Sequence, residues 1–97
     1  MVGKMNSKEA FEKAQDEGEV FLATLGREEL ESTGFDTSTF GYFNTVDIYL
    51  QWTGDDFRIK YVFDGDPRQS YVEKTSDVGR DVFGLIIDSY LARLDQK

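Results

Sequence analysis

The 97-residue sequence contains no cysteine, no histidine and only one proline. Without cysteine there is no disulfide, no thiolate nucleophile and no thiolate metal ligand. Without histidine the chain lacks the commonest metal ligand and the side chain that most often acts as a general base near neutral pH. These two absences exclude most catalytic and metal-binding chemistry. We therefore expect a protein that is not an enzyme and that uses no metal or other cofactor.

Long apolar segments are also missing from this sequence. No run approaches the roughly 18 apolar residues that suggest a membrane span, and the N-terminal residues 1–6 contain no apolar region of the kind found in signal peptides. At roughly 100 to 200 residues per domain, the length fits one domain. We therefore expect a single cytoplasmic domain over residues 1–97, with residues 1–5 disordered and no contact with a membrane.

The charge is strongly unbalanced toward acidic residues. There are 19 Asp and Glu residues against 11 Lys and Arg, which gives a formal net charge of −8 at pH 7. Phosphate repels such a chain, so direct binding to nucleic acid is disfavoured and a cationic partner is favoured. Two tight acidic groups indicate a surface for a basic partner, a solvated face that keeps the protein soluble, or adaptation to salt. They are Asp16, Glu17 and Glu19, and Glu28, Glu29 and Glu31.

The N-terminal pattern predicts a helix, a strand and a short second helix. Asn6 and Glu9 have the spacing of a capping box for a helix over residues 7–17. Residues 19–25 are rich in β-compatible apolar side chains and predict a strand. Residues 27–32 predict one or two helical turns.

An unusual segment over residues 33–44 combines loop-forming residues with four aromatic side chains. A purely polar loop would not carry these aromatics. Either the second half extends the next strand with Gly41 as a bulge, or the segment folds back to cover the core. The aromatic residues are also candidates for partner recognition, because buried aromatic side chains dominate interface energetics. They are Phe35, Phe40, Tyr42 and Phe43.

The second half of the chain begins with a predicted strand meander. Residues 45–53 and 57–63 alternate apolar and polar side chains around a short turn, which predicts an antiparallel hairpin with one buried face. A turn over 64–67 leads to a third strand over 69–74. The strand over 19–25 can join either edge of this meander. The face away from the helices would carry a mixture of side chains, namely Asp47, Tyr49, Gln51, Arg58 and Lys60.

The C-terminal residues, from Ser76 onward, predict the best helix of the chain. One apolar stripe at helical spacing is predicted to pack on the sheet and consists of Val78, Val82, Leu85, Ile86, Ser89, Tyr90 and Leu94. Three further residues lie off this stripe and suggest either a homodimer seam or a contact with other elements: Phe83, Ile87 and Leu91. The predicted fold class is α+β, an antiparallel sheet of three or four strands with an N-terminal and a C-terminal helix on one face, in the order α-β-(short α)-β-β-β-α.

Aspartates in the turns are the best remaining candidates for a cation site. Asp55-Asp56 and Asp64-x-Asp66 lie at opposite ends of the strand over 57–63, more than about 20 Å apart at roughly 3.3 Å per residue, so they cannot form one site. Asp64 and Asp66 alone lack the further oxygen ligands and the closing glutamate of an EF-hand loop. We interpret these residues as turn-forming.

Three function classes remain. The first is a small acidic interaction module that binds a basic protein surface and inhibits a nucleic-acid-binding protein or nuclease by presenting carboxylates in place of phosphates, as a phage anti-defence or immunity protein would. The second is an assembly subunit that forms a homo-oligomer, such as a homodimer, through the aromatic loop and the C-terminal helix. The third binds a small molecule in a pocket lined by Tyr42, Tyr49, Tyr61 and Trp52.

Overall fold

The computed structural model describes residues 5–38 and 40–94. Its elements are α1 (Ser7–Glu17), β1 (Glu19–Gly26), α2 (Arg27–Glu31), β2 (Thr45–Trp52), β3 (Phe57–Phe63), β4 (Ser70–Lys74), α3 (Thr75–Val78) and α4 (Arg80–Leu94). The four strands form an antiparallel sheet in the order β1-β2-β3-β4. The predicted α+β class and the predicted order of elements are therefore confirmed.

The first helix begins and ends where its sequence signals place it. The Asn6 side chain accepts a hydrogen bond from the Glu9 backbone N–H at 2.9 Å, and the Glu9 carboxylate accepts one from the Asn6 N–H at 3.1 Å. Gly18 ends the helix at a φ of +89°, a left-handed conformation that glycine adopts without strain. Disorder was predicted for residues 1–5. Residues 1–4 lie outside the described residues, and Met5 packs against the core.

The inner face of the sheet carries the core. β1 pairs with β2, so it joins the β2 edge of the meander and leaves β4 as the opposite edge. A bulge in β1 lies between Phe21 and Ala23, and the inserted Leu22 is fully buried. In the hairpin, Ile48 faces Tyr61 and Leu50 faces Ile59, all four of them buried. The predicted alternation of the two hairpin strands is therefore confirmed.

Two helices cover only part of this inner face. α1 packs against β1 and β2, and α4 packs mainly against β1. Over β3 and β4 the aromatic segment 33–44 takes the place of a helix: the Phe35 ring lies 4.8 Å from Tyr61, and the Phe40 ring lies 5.2 Å from Phe63 and 5.4 Å from Tyr71. Of the two alternatives for this segment, the structure thus has the one in which it folds back over the core.

The C-terminal helix differs from the prediction in its continuity and in its rotation. Gly79, at a φ of +84°, separates α3 from α4. The residues of α4 that face the core are Phe83, Ile87, Tyr90 and Leu91. Most of the stripe predicted to pack on the sheet is instead exposed or half-buried, with Val82, Leu85 and Leu94 exposed. The suggested homodimer seam of Phe83, Ile87 and Leu91 is therefore wrong, because these residues belong to the core.

The rotation of α4 is fixed by contacts that periodicity does not reveal. Both apolar stripes have helical spacing, so spacing alone cannot choose between them. The Phe83 ring lies 6.3 Å from the ring of Phe11 on α1. The Tyr90 hydroxyl lies 2.8 Å from the Tyr61 hydroxyl of the sheet. Tyr90 is the buried member of the predicted stripe and faces inward beside Phe83 and Ile87, whereas Val82 and Leu85 face outward.

Replacing Phe40 by alanine should lower the free energy of unfolding by about 2–3 kcal/mol, since it removes a half-buried aromatic side chain from the cover over β3 and β4. The control is Tyr42→Ala in the same segment, at a side chain that is 79% exposed, and it should cost less than about 0.5 kcal/mol. Urea unfolding followed by the fluorescence of the single tryptophan, Trp52, measures both. Equal losses for the two variants would contradict the covering role.

Ile87→Ala should lower the free energy of unfolding by about 2–5 kcal/mol, because it opens a cavity in the core. Leu85→Ala, two positions away on the same helix, should change it by less than about 0.5 kcal/mol, because Leu85 is 68% exposed. Thermal and urea unfolding of the pair checks the rotation of α4. The opposite ranking would favour the stripe predicted from sequence.

Candidate functional site

The turn aspartates bind the backbone. One Asp64 carboxylate oxygen accepts hydrogen bonds from the backbone N–H of Asn44 at 2.8 Å and of Thr45 at 3.1 Å. Asp66 accepts from the Arg68 backbone at 3.0 Å, and hydrogen bonds from the Arg68 side chain and backbone hold the Asp66 pKa below its usual value. Residues 5–38 and 40–94 contain no cluster of three or more acidic side chains placed to hold a metal ion. None of the helices in these ranges is long and apolar enough to cross a membrane.

The four aromatic residues suggested for a small-molecule pocket do not come together. Tyr61 is fully buried inside the core, whereas Tyr42 is exposed on the segment 33–44 that folds over β3 and β4, here called the covering segment. Tyr49 lies on the sheet face opposite the helices. The Trp52 ring packs at 4.5 Å against Phe57 at the end of the hairpin. The structure therefore does not support a common pocket formed by these residues.

A buried polar cluster connects the sheet to α4. The Tyr61 hydroxyl donates to a Glu73 carboxylate oxygen at 2.9 Å, so the Tyr90 hydroxyl, 2.8 Å away, donates to the Tyr61 oxygen. Burial raises the pKa of Tyr61 far above its usual value and raises the pKa of Tyr90 to about 12. A tyrosine that acts as a general base or nucleophile needs a pKa closer to the operating pH. We therefore assign these hydroxyls a structural role.

The six predicted acidic residues are all exposed, but they form two separate groups. Asp16 and Glu17 end α1 and Glu19 begins β1, whereas the other three lie on α2, beyond the far end of β1. Eight residues of strand at roughly 3.3 Å each separate the groups by about 25 Å. The acidic residues therefore lie at two ends of the molecule and do not form one continuous surface.

The first acidic group gains two carboxylates from the turn between β2 and β3. The Trp52 N–H donates to the Gly18 carbonyl at 3.0 Å, and Glu19 accepts a hydrogen bond from the Gln51 side chain at 2.8 Å. These contacts bring the end of α1 and the start of β1 beside the turn. We call the resulting set the turn-side acidic end; it consists of Asp16, Glu17, Glu19, Asp55 and Asp56. Sequence reasoning missed Asp55 and Asp56 because their proximity depends on which edge β1 joins.

The second acidic group, on α2, is partly used within the molecule. A Glu29 carboxylate oxygen accepts a hydrogen bond from the Gly26 N–H at 2.9 Å and so caps the helix. Glu31 forms an ion pair with Arg27 at 3.6 Å and accepts a hydrogen bond from the Thr37 hydroxyl. In the described ranges the Glu28 carboxylate makes neither kind of contact. Glu28 is therefore the member of this group that is most available to a partner.

The four aromatic residues predicted for partner binding lie at different depths. Phe43 is 2% exposed, Phe35 and Phe40 are half-buried, and Tyr42 is the one that protrudes. The Arg27 guanidinium lies 4.9 Å above the Phe43 ring, and it also donates to backbone carbonyls of the same segment at 3.3 and 3.4 Å. These contacts hold the segment to the body of the protein. Within this set, a partner can readily reach Tyr42.

The face of the sheet away from the helices, here called the outer face, is uncovered. A row across its centre joins Phe21, Tyr49, Lys60 and Val72, one residue from each strand. Phe21 is 43% and Val72 37% exposed, and the Phe21 and Tyr49 rings meet edge to face at 5.6 Å. The sequence indicated the hairpin part of this face. The contributions of β1 and β4 became visible only with the strand order.

Charges on the outer face are segregated by strand. The carboxylates, Glu19 and Asp47, lie on β1 and β2, whereas the cations, Arg58, Lys60 and Lys74, lie on β3 and β4. Arg58 and Lys74 face each other directly, an arrangement of like charges that destabilises a sheet. The ion pairs of the described ranges include none of these three cations, and the buried Arg58 Nε has no hydrogen-bond partner there.

No family model, no curated protein and no solved structure matches this chain. Its function is therefore inferred from its own surfaces, which are the two acidic ends and the outer face.

Raising the pH above about 10 should destabilise the fold through Tyr61 and Tyr90. The pKa values of both tyrosines are raised in the folded protein, to about 12 for Tyr90. The stability that the two neutral hydroxyls contribute is therefore fully present below the unfolded pKa of about 10, and it is lost as the pH rises from there toward the folded pKa values. Each tyrosine that ionises only after unfolding lowers the free energy of unfolding by about 1.4 kcal/mol per pH unit. Urea unfolding between about pH 8 and 11 measures the slope.

The slope should become shallower in Tyr61→Phe, which removes one of the two titrating hydroxyls. Tyr42→Phe, at an exposed position, is the matched control and should keep the wild-type slope. An unchanged slope in Tyr61→Phe would mean that the buried hydroxyls do not control alkaline unfolding.

Proposed function

We propose that this protein is a non-enzymatic interaction module that binds a basic protein surface through its acidic ends. Its target would be a cytoplasmic nucleic-acid-binding protein or nuclease, which it inhibits by occupying the phosphate-binding surface. The single observation that carries the proposal is the collection of exposed carboxylates at two ends of the sheet, on a chain of net charge −8.

Most of this negative charge is available to a partner. In the described ranges, ion pairs engage only two carboxylates, Glu31 and Asp66. Four members of the turn-side acidic end are exposed and Asp56 is half-buried. Exposed carboxylates attract a cationic surface over about one Debye length, roughly 8 Å at physiological salt, and accelerate its encounter with the protein.

The distance between the two acidic ends can be compared with the spacing of phosphates in nucleic acid, the ligand of the proposed target. Phosphates along one strand of duplex DNA follow each other every 3.4 Å or so of helix axis, so the separation of about 25 Å corresponds to roughly seven nucleotides. A protein that contacts phosphates with lysine and arginine over about seven nucleotides could therefore contact one acidic end with the first of these side chains and the other acidic end with the last. Strand β1, which is paired with β2 from Glu19 to Gly26, connects the two limits.

The test uses two triple variants that remove equal charge and preserve shape. One is Asp16→Asn, Glu17→Gln and Asp55→Asn; the other is Glu28→Gln, Glu29→Gln and Glu31→Gln, in which glutamine can still cap α2. The target is first captured on the wild-type protein at low salt and identified by mass spectrometry. Each triple variant should then bind it about tenfold more weakly, with a reduced salt dependence, and should inhibit its nucleic-acid binding less.

A third triple variant separates a defined surface from net charge alone. Glu12→Gln, Asp81→Asn and Asp88→Asn change the charge by the same amount in the groove between α1 and α4. This variant should bind the target as the wild type does. If it weakens binding as much as the other two, or if none of the three has an effect, the acidic ends are not the binding surface.

A further inference from the structure

We propose that the outer face binds a second copy of this chain, so that two sheets stack face to face about a twofold axis parallel to the strands. This inference concerns the outer face, which shares only Glu19 with the acidic ends of the proposed function, and it does not depend on that function.

The segregation of charge makes the outer face self-complementary. A twofold axis parallel to the strands places β4 of one copy over β1 of the other, and β3 over β2. The cations of one copy then lie over the carboxylate-bearing strands of the other. Lys74 and Glu19 occupy the same row of the sheet, so Lys74 lies opposite Glu19 of the second copy, and this contact occurs twice.

In the same arrangement, the central row of Phe21, Tyr49, Lys60 and Val72 lies over the same row of the second copy in the reverse order. Val72 of one copy lies over Phe21 of the other, and Lys60 lies over the ring of Tyr49. The first contact removes two exposed apolar side chains from water, and the second is a cation–π contact. Stacked sheets pack about 10 Å apart with their strands rotated by roughly 30°, which the side chains of this row can span.

A twofold axis perpendicular to the strands gives a poorer match. It would place β1 over β1 and β4 over β4, so that carboxylate-bearing strands face each other and cation-bearing strands do the same. Like charges in a contact cost affinity. The charge pattern therefore selects one of the two face-to-face arrangements.

The outer face is also a place where two strongly acidic molecules can approach each other. It carries three cations and two carboxylates, whereas the whole chain has a net charge of −8. The molecule measures 33 × 33 × 23 Å, and the sheet is one of its two layers, so the outer face is a broad side. A broad side is the part of so small a protein that can supply the area of about 800 Å² per partner typical of specific interfaces.

The experiment is sedimentation of the full chain over a range of concentrations, with the variants Glu19→Lys and Lys74→Glu. The wild type should form a dimer in a concentration-dependent way. Each variant alone places like charges opposite each other at both symmetric contacts and should weaken dimerisation by at least about tenfold. An equimolar mixture of the two variants should form a heterodimer, because both contacts then pair opposite charges again.

If a variant failed to dimerise because it did not fold, mixing it with the other variant would not restore a dimer. Formation of the heterodimer therefore tests the contact between residues 19 and 74 itself. Phe21→Ser should abolish the dimer, whereas Leu85→Ser, at a still more exposed apolar side chain on the helical side, should leave it intact. A chain that stays monomeric at every concentration would overturn the proposal. So would a dimer that Leu85→Ser disrupts, or an outer face that binds polyglutamate or single-stranded DNA in place of a second copy.

Discussion

The hydrogen bonds and ring contacts of Tyr61 join β3, β4, α4 and the covering segment at one point. Tyr61 lies in the middle of β3, receives a hydrogen bond from Tyr90 of α4 and donates one to Glu73 of β4. Its ring contacts Phe35 of the covering segment at 4.8 Å. A buried hydroxyl without partners would cost free energy, so the position of α4 and the register of β4 must both satisfy this one group. The rotation of α4 follows from that requirement.

The covering segment explains why this chain carries so many aromatic residues between α2 and β2. Two helices are too few to cover four strands, so a non-helical segment must bury the β3–β4 half of the sheet. Such a segment has few side chains facing inward, and large aromatic rings supply the necessary apolar area from few positions. Phe35, Phe40 and Phe43 are used in this way. Tyr42, the fourth aromatic residue of the segment, stays exposed.

The sequence predicted those features that depend on local pattern. The capping box at Asn6, the alternation of the hairpin and the order of elements follow from neighbouring residues, and each is present. The rotation of α4 was predicted wrongly because both of its apolar stripes have helical spacing and the choice depends on distant contacts such as that of Phe83 with Phe11 of α1. The turn-side acidic end and the complete outer face depend on the edge that β1 joins. Long-range pairing of this kind leaves no signal in a single sequence.

The two proposed surfaces reinforce each other geometrically. A twofold axis parallel to the strands keeps equivalent ends of the two copies on the same side, so a face-to-face dimer would bring two turn-side acidic ends together at one end and two α2 groups at the other. Glu19 of each copy is then paired with Lys74 of the other, and the remaining carboxylates of both copies face a basic partner together. This arrangement also adds repulsion between the copies, which a bound cationic partner would neutralise. Binding of the partner and dimerisation would therefore favour each other, because each lowers the free energy of the state that the other requires.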